Sequence, residues 1–177
     1  MTAQDAPGQR LPEPWLRGTF GEVPAVQRAV IHALELARED LWRWCAELRE
    51  EEVNAQPAGL PPVAFHLRHI ARSLDRLLTY AEGRQLQPQQ LAELAAEHAS
   101  GATIQQLLTE LSSALDKSAK RIRGFDATGL EESRTVGRKQ LPTTLGGLLV
   151  HVADHTQRHT GQAISTVKLL LAQRAQV

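Results

Sequence analysis

The chain has 177 residues, which is enough for one domain with a sizeable core, and its 20 basic and 20 acidic residues give a formal net charge of zero. This balance excludes a global electrostatic field that would recruit nucleic acid or an anionic membrane. The single cysteine, Cys45, excludes an intrachain disulfide and suits a reducing compartment. The N-terminus lacks the apolar core of a secretory signal, and no stretch approaches the roughly 20 apolar residues that span a bilayer. A cytoplasmic protein is therefore expected.

The chain begins with a segment that has little periodicity. Its first 20 residues hold three prolines, so we predict an extended N-terminal arm over 1–23, with Trp15, Leu16 and Phe20 as candidate anchors. From Val26 onward, apolar residues recur at three- and four-residue spacing and predict a first helix over about 24–50. Cys45 lies beside tryptophans in LWRWCAEL and is expected to pack within this helix.

The remainder of a single domain over 24–177 contains four further helical patterns. QPAGLPP at 56–62 ends the first helix, and the later patterns lie at about 62–83, 88–98, 103–124 and 143–173. Thr103 is a natural N-cap for the third of them. Residues 126–142 are charged and glycine-bearing, which predicts a surface loop of the kind that borders or covers a site. Four long helices and one short one predict an all-α fold, a four-helix bundle with one short extra helix.

The last helix carries a ladder of histidines in HVADHTQRHTGQ. His151, His155 and His159 are each one turn apart. A helical wheel places His155 and His159 at the centre of the apolar stripe, with His151 and Gln162 near one edge. Burying imidazoles without partners costs several kcal/mol, so something must satisfy them. A shared divalent metal would do so, and hydrogen bonds to other side chains or to water remain the alternative.

The second helix offers two further imidazoles, three residues apart in AFHLRHIARSLDRLL. The wheel places His66 nearer the apolar face than His69. A bundle helix contacts two neighbours, so its buried arc can be wide enough to include His69 as well. Periodicity alone leaves both open. His98 lies in a polar stretch and is expected to be solvated, whereas His32 is expected to lie outside the site.

Two segments resemble motifs of the DinB/YfiT-like superfamily of metal-binding four-helix bundles. PVAFHLRHIARSLDRLLTY is similar to that family's second helix, in which a histidine precedes a small apolar pair. The match assigns His69, followed by Ile70 and Ala71, as a metal ligand. HVADHTQRHTGQ is similar to the family's last-helix motif and assigns His155 and His159 as the other two ligands.

The resemblance extends over about 24–173 and has one visible departure. Many relatives carry an arginine directly after the last ligand, where this chain has Thr160. Four residues are candidates to orient the ligands or a bound molecule, and His66 is also an alternative ligand. These four are His66, His151, Asp154 and Gln162. Asp75 and Arg76 could act likewise, although a surface ion pair is the more ordinary role for both.

The family implies a divalent transition metal, with zinc or nickel expected, and a small-molecule substrate. Members resemble thiol-dependent transferases and isomerases, such as bacillithiol S-transferases and mycothiol-dependent maleylpyruvate isomerase, and homodimers are common among them. We therefore hypothesise transfer of a low-molecular-weight thiol to a small electrophile. Cys45 is not expected to supply the thiol. The alternatives are a metal-dependent hydrolase that uses metal-bound water and a non-catalytic, metal-binding, stress-related bundle. The sequence leaves open whether the protein is an enzyme.

Overall fold

The computed structural model describes residues 11–18 and 20–176, and this part of the chain is mainly helical. Its five α-helices and two strands are α1 (Ala25–Cys45), α2 (Val63–Ala81), α3 (Pro88–Ala95), α4 (Ile104–Arg123), β1 (Ser133–Val136), β2 (Leu141–Thr144) and α5 (Leu145–Arg174). The predicted helical bundle with one short extra helix is confirmed. No helix within these ranges combines the length and the apolar character that a membrane crossing requires.

The four long helices enclose the core. α5 packs against both α1 and α2, and α4 packs against the other sides of the same two helices. Leucines and isoleucines from all four meet in this centre, where Ile31, Leu67, Leu111 and Leu149 are among the fully buried side chains. Burial of this apolar surface is the main favourable contribution to folding. It also holds α2 and α5 side by side, which positions the site described below.

Side-chain caps define where two of the helices begin. Thr103 accepts a hydrogen bond from the backbone N–H of Gln106 (3.1 Å), and the Gln106 side chain accepts one from the backbone N–H of Thr103 (2.9 Å). This reciprocal capping satisfies two amides that would otherwise lack partners, and it confirms the predicted N-cap. Thr144 caps α5 in a similar way through the backbone N–H of Gly147 (3.1 Å).

The first helix is shorter than predicted and ends at Cys45 rather than near residue 50. A short 3-10 turn at Glu50–Glu52 follows, and the Glu52 carboxylate accepts a hydrogen bond from the backbone N–H of Arg49 (2.7 Å). This turn allows Val53 to be fully buried, and the Val53 carbonyl accepts a hydrogen bond from Ala64 (2.9 Å). The apolar pattern continues past Cys45, but the helix ends there because the turn that follows buries Val53.

Residues 126–142 do not form the predicted loop. They contain a 3-10 turn and most of an antiparallel hairpin in which Ser133 pairs with Thr144 and Val136 with Leu141. The Arg134 guanidinium donates to the Ala81 carbonyl (2.7 Å). The hairpin is thereby anchored at the C-terminal end of α2 and the start of α5, away from the middle of α2, where His69 lies. The loop prediction was wrong because the strand tendency of this charged segment depends on its packing against α2.

The N-terminal segment contacts α1 through residues that differ in part from those predicted. Trp15 and Leu16 are exposed, so the prediction that they are anchors was wrong. Pro14 is buried instead, Phe20 lies with its ring centroid 5.5 Å from that of His32, and Arg17 forms an ion pair with Glu39. Residues 1–10 of the predicted arm lie outside the described residues.

Two adjacent residues of α5 test this packing. Leu149 is 0% exposed and Val150 is 60% exposed. We expect Leu149→Ala to lower the free energy of unfolding by about 2–5 kcal/mol, because it leaves a cavity in the core. Val150→Ala should change it by less than about 0.5 kcal/mol. Urea denaturation followed by circular dichroism measures both, and equal effects would contradict the helix orientation described here.

Candidate metal centre

Three histidines from two antiparallel helices meet at one edge of the bundle. The Nε2 atom of His69 on α2 lies 3.3 Å from the Nε2 atom of His155 on α5. The His159 ring centroid is 4.3 Å from that of His69 and 4.6 Å from that of His155. One ring nitrogen from each of the three lies within 4.8 Å of the others. The structure thus brings together the three residues that the family motif singles out. We call this set the histidine trio.

The second helix buries His66 fully and His69 only in part, which is the order that the helical wheel gave. The Nδ1 of His66 lies 3.2 Å from the Nδ1 of His159, which places His66 behind one member of the trio. His69 faces the space between the three rings. This position agrees with the motif rather than with amphipathicity, because α2 packs against α3, α4 and α5 and has almost no polar face.

The trio lies at the edge of the buried face of α5, not at its centre. His155 and His159 are only half-buried, whereas Thr156 and Thr160 are fully buried. The wheel prediction was wrong here because it counted apolar residues alone and omitted the threonines. The Thr160 hydroxyl donates to the Thr156 carbonyl (2.9 Å), which makes its burial inexpensive. Thr160 therefore belongs to the core.

A buried carboxylate that the sequence analysis missed lies behind the first histidine. Glu97 Oε2 is 2.6 Å from His69 Nδ1, and Glu97 Oε1 accepts a hydrogen bond from Arg76 (2.6 Å). Burial alone would raise the pKa of Glu97, but the hydrogen bonds from His69 and Arg76 outweigh it and leave this pKa below its usual value. Glu97 is therefore an ionised acceptor that orients the His69 ring.

Three arginines one turn apart on α2 hold the segment that carries Glu97. Arg68 donates to the Ala99 carbonyl, Arg72 donates to the Glu93 carbonyl (2.8 Å), and Arg76 pairs with Glu97 itself. Glu97 lies outside the apolar repeats of the sequence, so periodicity gives no indication of its role. The arginines are the only sequence signal that could have indicated it, since charges on a largely buried helix require partners.

Hydrogen bonds behind two of the rings determine where their lone pairs point. His69 Nδ1 donates to Glu97, so its Nε2 carries the lone pair. His155 Nδ1 lies 3.4 Å from the Ser73 hydroxyl oxygen, and that hydroxyl donates to the Ile70 carbonyl (3.1 Å). The hydrogen-bond network therefore assigns the proton of His155 to Nδ1 and its lone pair to Nε2.

The two Nε2 lone pairs consequently face each other, an arrangement that is repulsive unless a proton or a cation lies between them. Two nitrogens bound to one tetrahedral Zn²⁺ at about 2.0–2.1 Å are about 3.3 Å apart, which matches the distance between His69 and His155. A set of three imidazoles with outer partners is typical of sites for zinc and similar transition metals. The residues present thus fit a divalent ion.

The surroundings of His155 and His159 favour the neutral form of these two imidazoles. Burial, followed by the neighbouring His159 and His69, lowers the pKa of His155 to about 4. Burial, His69 and Arg158 lower the pKa of His159 to about 4 as well. Neutral imidazole is the form that binds a metal, so the protein needs little deprotonation to bind one near neutral pH.

The remaining predicted residues differ in their distance from the trio. His151 is exposed, with its ring centroid 5.4 Å from that of His155. Asp154, predicted to lie behind a ligand, instead forms an exposed ion pair with Arg158 (2.6 Å). Gln162 is exposed and lines a cavity beside His159. Asp75 pairs with Arg121 (2.7 Å) on the side toward α4.

An open cavity of about 590 Å³ adjoins the trio, and this size suits a small molecule. His66 and His159 form one wall, and Leu60, Pro61 and Phe65 supply apolar surface.

The Phe65 ring stacks on His69 (5.2 Å between centroids) and also on the exposed His98 (4.4 Å). These residues, rather than the hairpin, border the histidines. His98 is exposed as predicted, and His32 contacts Phe20, away from the trio.

Comparison with known proteins agrees with this architecture. The profile of the DinB superfamily matches residues 33–163. The chain belongs to the DinB superfamily. A conserved protein of Enterococcus faecalis shares 20% identity at a TM-score of 0.70, over 84% of this chain and 99% of that one. YfiT from Bacillus subtilis, described as a probable metal-dependent hydrolase with an unusual four-helix bundle topology, shares 15% identity at a TM-score of 0.61, over 80% of this chain and 86% of that one. No curated protein matches the chain.

For this DinB superfamily member, the carboxylate behind His69 predicts a measurable effect on metal binding. We expect Glu97→Gln to weaken Zn²⁺ binding by about 10–100-fold, because the His69 ring loses its charged partner. Competition with a chromophoric chelator measures the affinity. Glu110→Gln is the matched control, since Glu110 also pairs with an α2 arginine, Arg72 (2.9 Å), and is not in contact with the trio. Equal affinities for the two variants would contradict a role for Glu97 in orienting His69.

The lowered pKa values of His66, His155 and His159 predict that the metal-free protein loses stability in mild acid. In the unfolded chain these imidazoles titrate near about pH 6.5. Between about pH 4 and pH 6.5 the unfolded chain binds more protons than the folded protein. The contribution of these histidines to the free energy of unfolding is therefore fully present above about pH 6.5 and decreases as the pH falls. Thermal melts at several pH values measure this loss. His155→Gln/His159→Gln should show a shallower dependence, and an unchanged slope would refute the assignment.

Proposed function

We propose that this protein is a metal-dependent enzyme in which His69, His155 and His159 hold a divalent transition metal, zinc or nickel, and that it transfers a low-molecular-weight thiol to a small electrophile. The observation that carries the proposal is the half-buried trio of imidazoles beside an open cavity of about 590 Å³. A divalent cation bound there would act as a Lewis acid and lower the pKa of a thiol or a water molecule.

The donor set supports a catalytic rather than a closed structural site. Three histidines would hold three positions of a bound ion and leave coordination open, as in catalytic zinc sites. Glu97 does not fill a further position, because both of its oxygens are bound, one to His69 and one to Arg76. His66 faces His159 rather than the space between the three rings.

The nucleophile must come from outside the chain. Cys45 is fully buried as predicted, and burial raises the pKa of its thiol to about 12, so it is an unreactive packing residue. A small external thiol would lose its proton to solvent, and its sulfur would form a bond to the electrophilic carbon. The leaving group would depart with the electron pair of the broken bond. Phe65, Pro61 and Leu60 would bind the apolar part of the electrophile.

Hydrolysis is the second candidate, and the similar structure of YfiT, described as a probable metal-dependent hydrolase, favours it. A water nucleophile benefits from a nearby general base. Asp154, the acid closest in sequence to a ligand, is engaged by Arg158, and Glu97 is engaged by His69 and Arg76. A thiol needs less assistance because its ordinary pKa is far below that of water, so thiol transfer remains the preferred function.

Metal content tests the site itself. Elemental analysis of the untagged protein should find about one divalent metal ion per chain. His155→Ala/His159→Ala should lose it, because two of three ligands are gone. His98→Ala is the matched control: it removes an exposed imidazole that stacks on Phe65 and should keep the metal. Equal metal content in all three proteins would refute the ligand set.

Turnover separates the two reactions. The metal-loaded protein is assayed with glutathione, cysteine and other small thiols against 1-chloro-2,4-dinitrobenzene, and separately with 4-nitrophenyl acetate in the absence of thiol. We expect thiol-dependent chloride release that disappears in the double variant. Ester cleavage without thiol would favour the hydrolase instead. Metal binding without either reaction would leave a non-catalytic metal-binding bundle.

A further inference from the structure

A second cavity lies across α5 from the histidine trio. It has a volume of about 620 Å³, opens to solvent and is lined by α1, Trp15 and Gln157. Gln157 lies between His155 and His159 in the sequence, and residues two apart on a helix point to roughly opposite sides. The cavity and the trio are therefore separate sites with α5 between them.

Two basic side chains in this cavity lack partners. His32 is only 9% exposed, and neither it nor Arg28 has a side-chain hydrogen bond or an ion pair within residues 11–18 and 20–176. They are one helical turn apart on α1 and both line the cavity. The ring nitrogens of His32 are not sealed from the open cavity, so a hydrogen-bond partner from outside the chain can reach them. A ligand in the cavity can be that partner.

The rest of the lining is apolar and flat. Ala25, Ala29 and Ala33 follow one another at four-residue spacing and allow a ligand to approach the helix closely, and the exposed Trp15 ring provides a side wall. The Gln157 side chain is fixed by its hydrogen bond to the Ala33 carbonyl (2.7 Å). The cavity also lies at the first turns of α1, whose N-cap, Pro24, offers no side-chain hydrogen bond. The partial positive charge of a helix N-terminus favours an anion there.

We propose that this cavity is a binding site for a small aromatic carboxylate. The carboxylate would accept hydrogen bonds from Arg28 and His32, since arginine matches the two oxygens of a carboxylate. The aromatic ring would lie on the alanine surface beside Trp15, with Leu36 at the apolar end. The Glu13 carboxylate beside Trp15 accepts a hydrogen bond from the indole N–H (2.9 Å).

Isothermal titration of the full-length, metal-loaded protein with 2-naphthoate tests the proposal. We expect a dissociation constant between about 10 µM and 1 mM, which is reasonable for a ligand of this size. The uncharged analogue 2-naphthamide should bind about tenfold more weakly, because it lacks the charge that Arg28 recognises. Arg28→Gln should weaken 2-naphthoate binding by about tenfold. Ala29→Phe, which fills the alanine surface, should abolish it.

Two controls locate the binding, because a carboxylate could also reach a metal ion or the cavity beside the trio. His155→Ala/His159→Ala and Arg158→Gln should bind 2-naphthoate as the unaltered protein does. Loss of binding in either control with retention in Arg28→Gln would overturn the proposal. So would the absence of binding at about 1 mM, or equal affinity for the acid and the amide. Circular dichroism melts confirm that each variant is folded.

Discussion

The burial of α2 on nearly every side is the constraint on which the rest of the structure depends. This helix packs against α3, α4 and α5, and the hairpin covers its C-terminal end. A buried polar group without a partner costs free energy, so each polar side chain of α2 needs a specific partner. Arg68 and Arg76 find theirs in the segment after α3, and Arg72 finds its partner in the Glu93 carbonyl of α3 itself. This requirement fixes the position of an otherwise irregular connection.

The same requirement shapes the candidate metal centre. Glu97 is ionised because Arg76 and His69 donate to it, and it in turn holds the His69 proton on Nδ1. Ser73 acts similarly on His155 from one turn further along α2. Two lone pairs are thereby directed at each other. A cation held between the rings would relieve their repulsion, so the arrangement favours a metal with little movement of the side chains.

α5 separates two regions with different chemistry. One side presents the histidine trio at the edge of the core. There the half-buried rings of His155 and His159 have a lowered pKa and can still be reached by a small molecule. The other side presents Gln157 to a cavity whose basic groups come from α1. Buried threonines such as Thr156 and Thr160 form the boundary between the two. They displace the histidines from the centre of the buried face, and that displacement is what keeps the trio accessible.

The sequence by itself determined the helices, the Thr103 cap and the histidine ladder, because periodicity and capping depend on residues within a few positions of each other. Only the tertiary structure decided which α2 histidine faces the ladder, since periodicity left both open and only their neighbours distinguish them. It also decided the partnership of Glu97 with His69, 28 residues apart in the chain. The hairpin within 126–144 likewise depends on packing against α2, because strand formation reflects surroundings more than local sequence. Local patterns therefore identified the histidine-bearing helices, and long-range contacts determined their orientation.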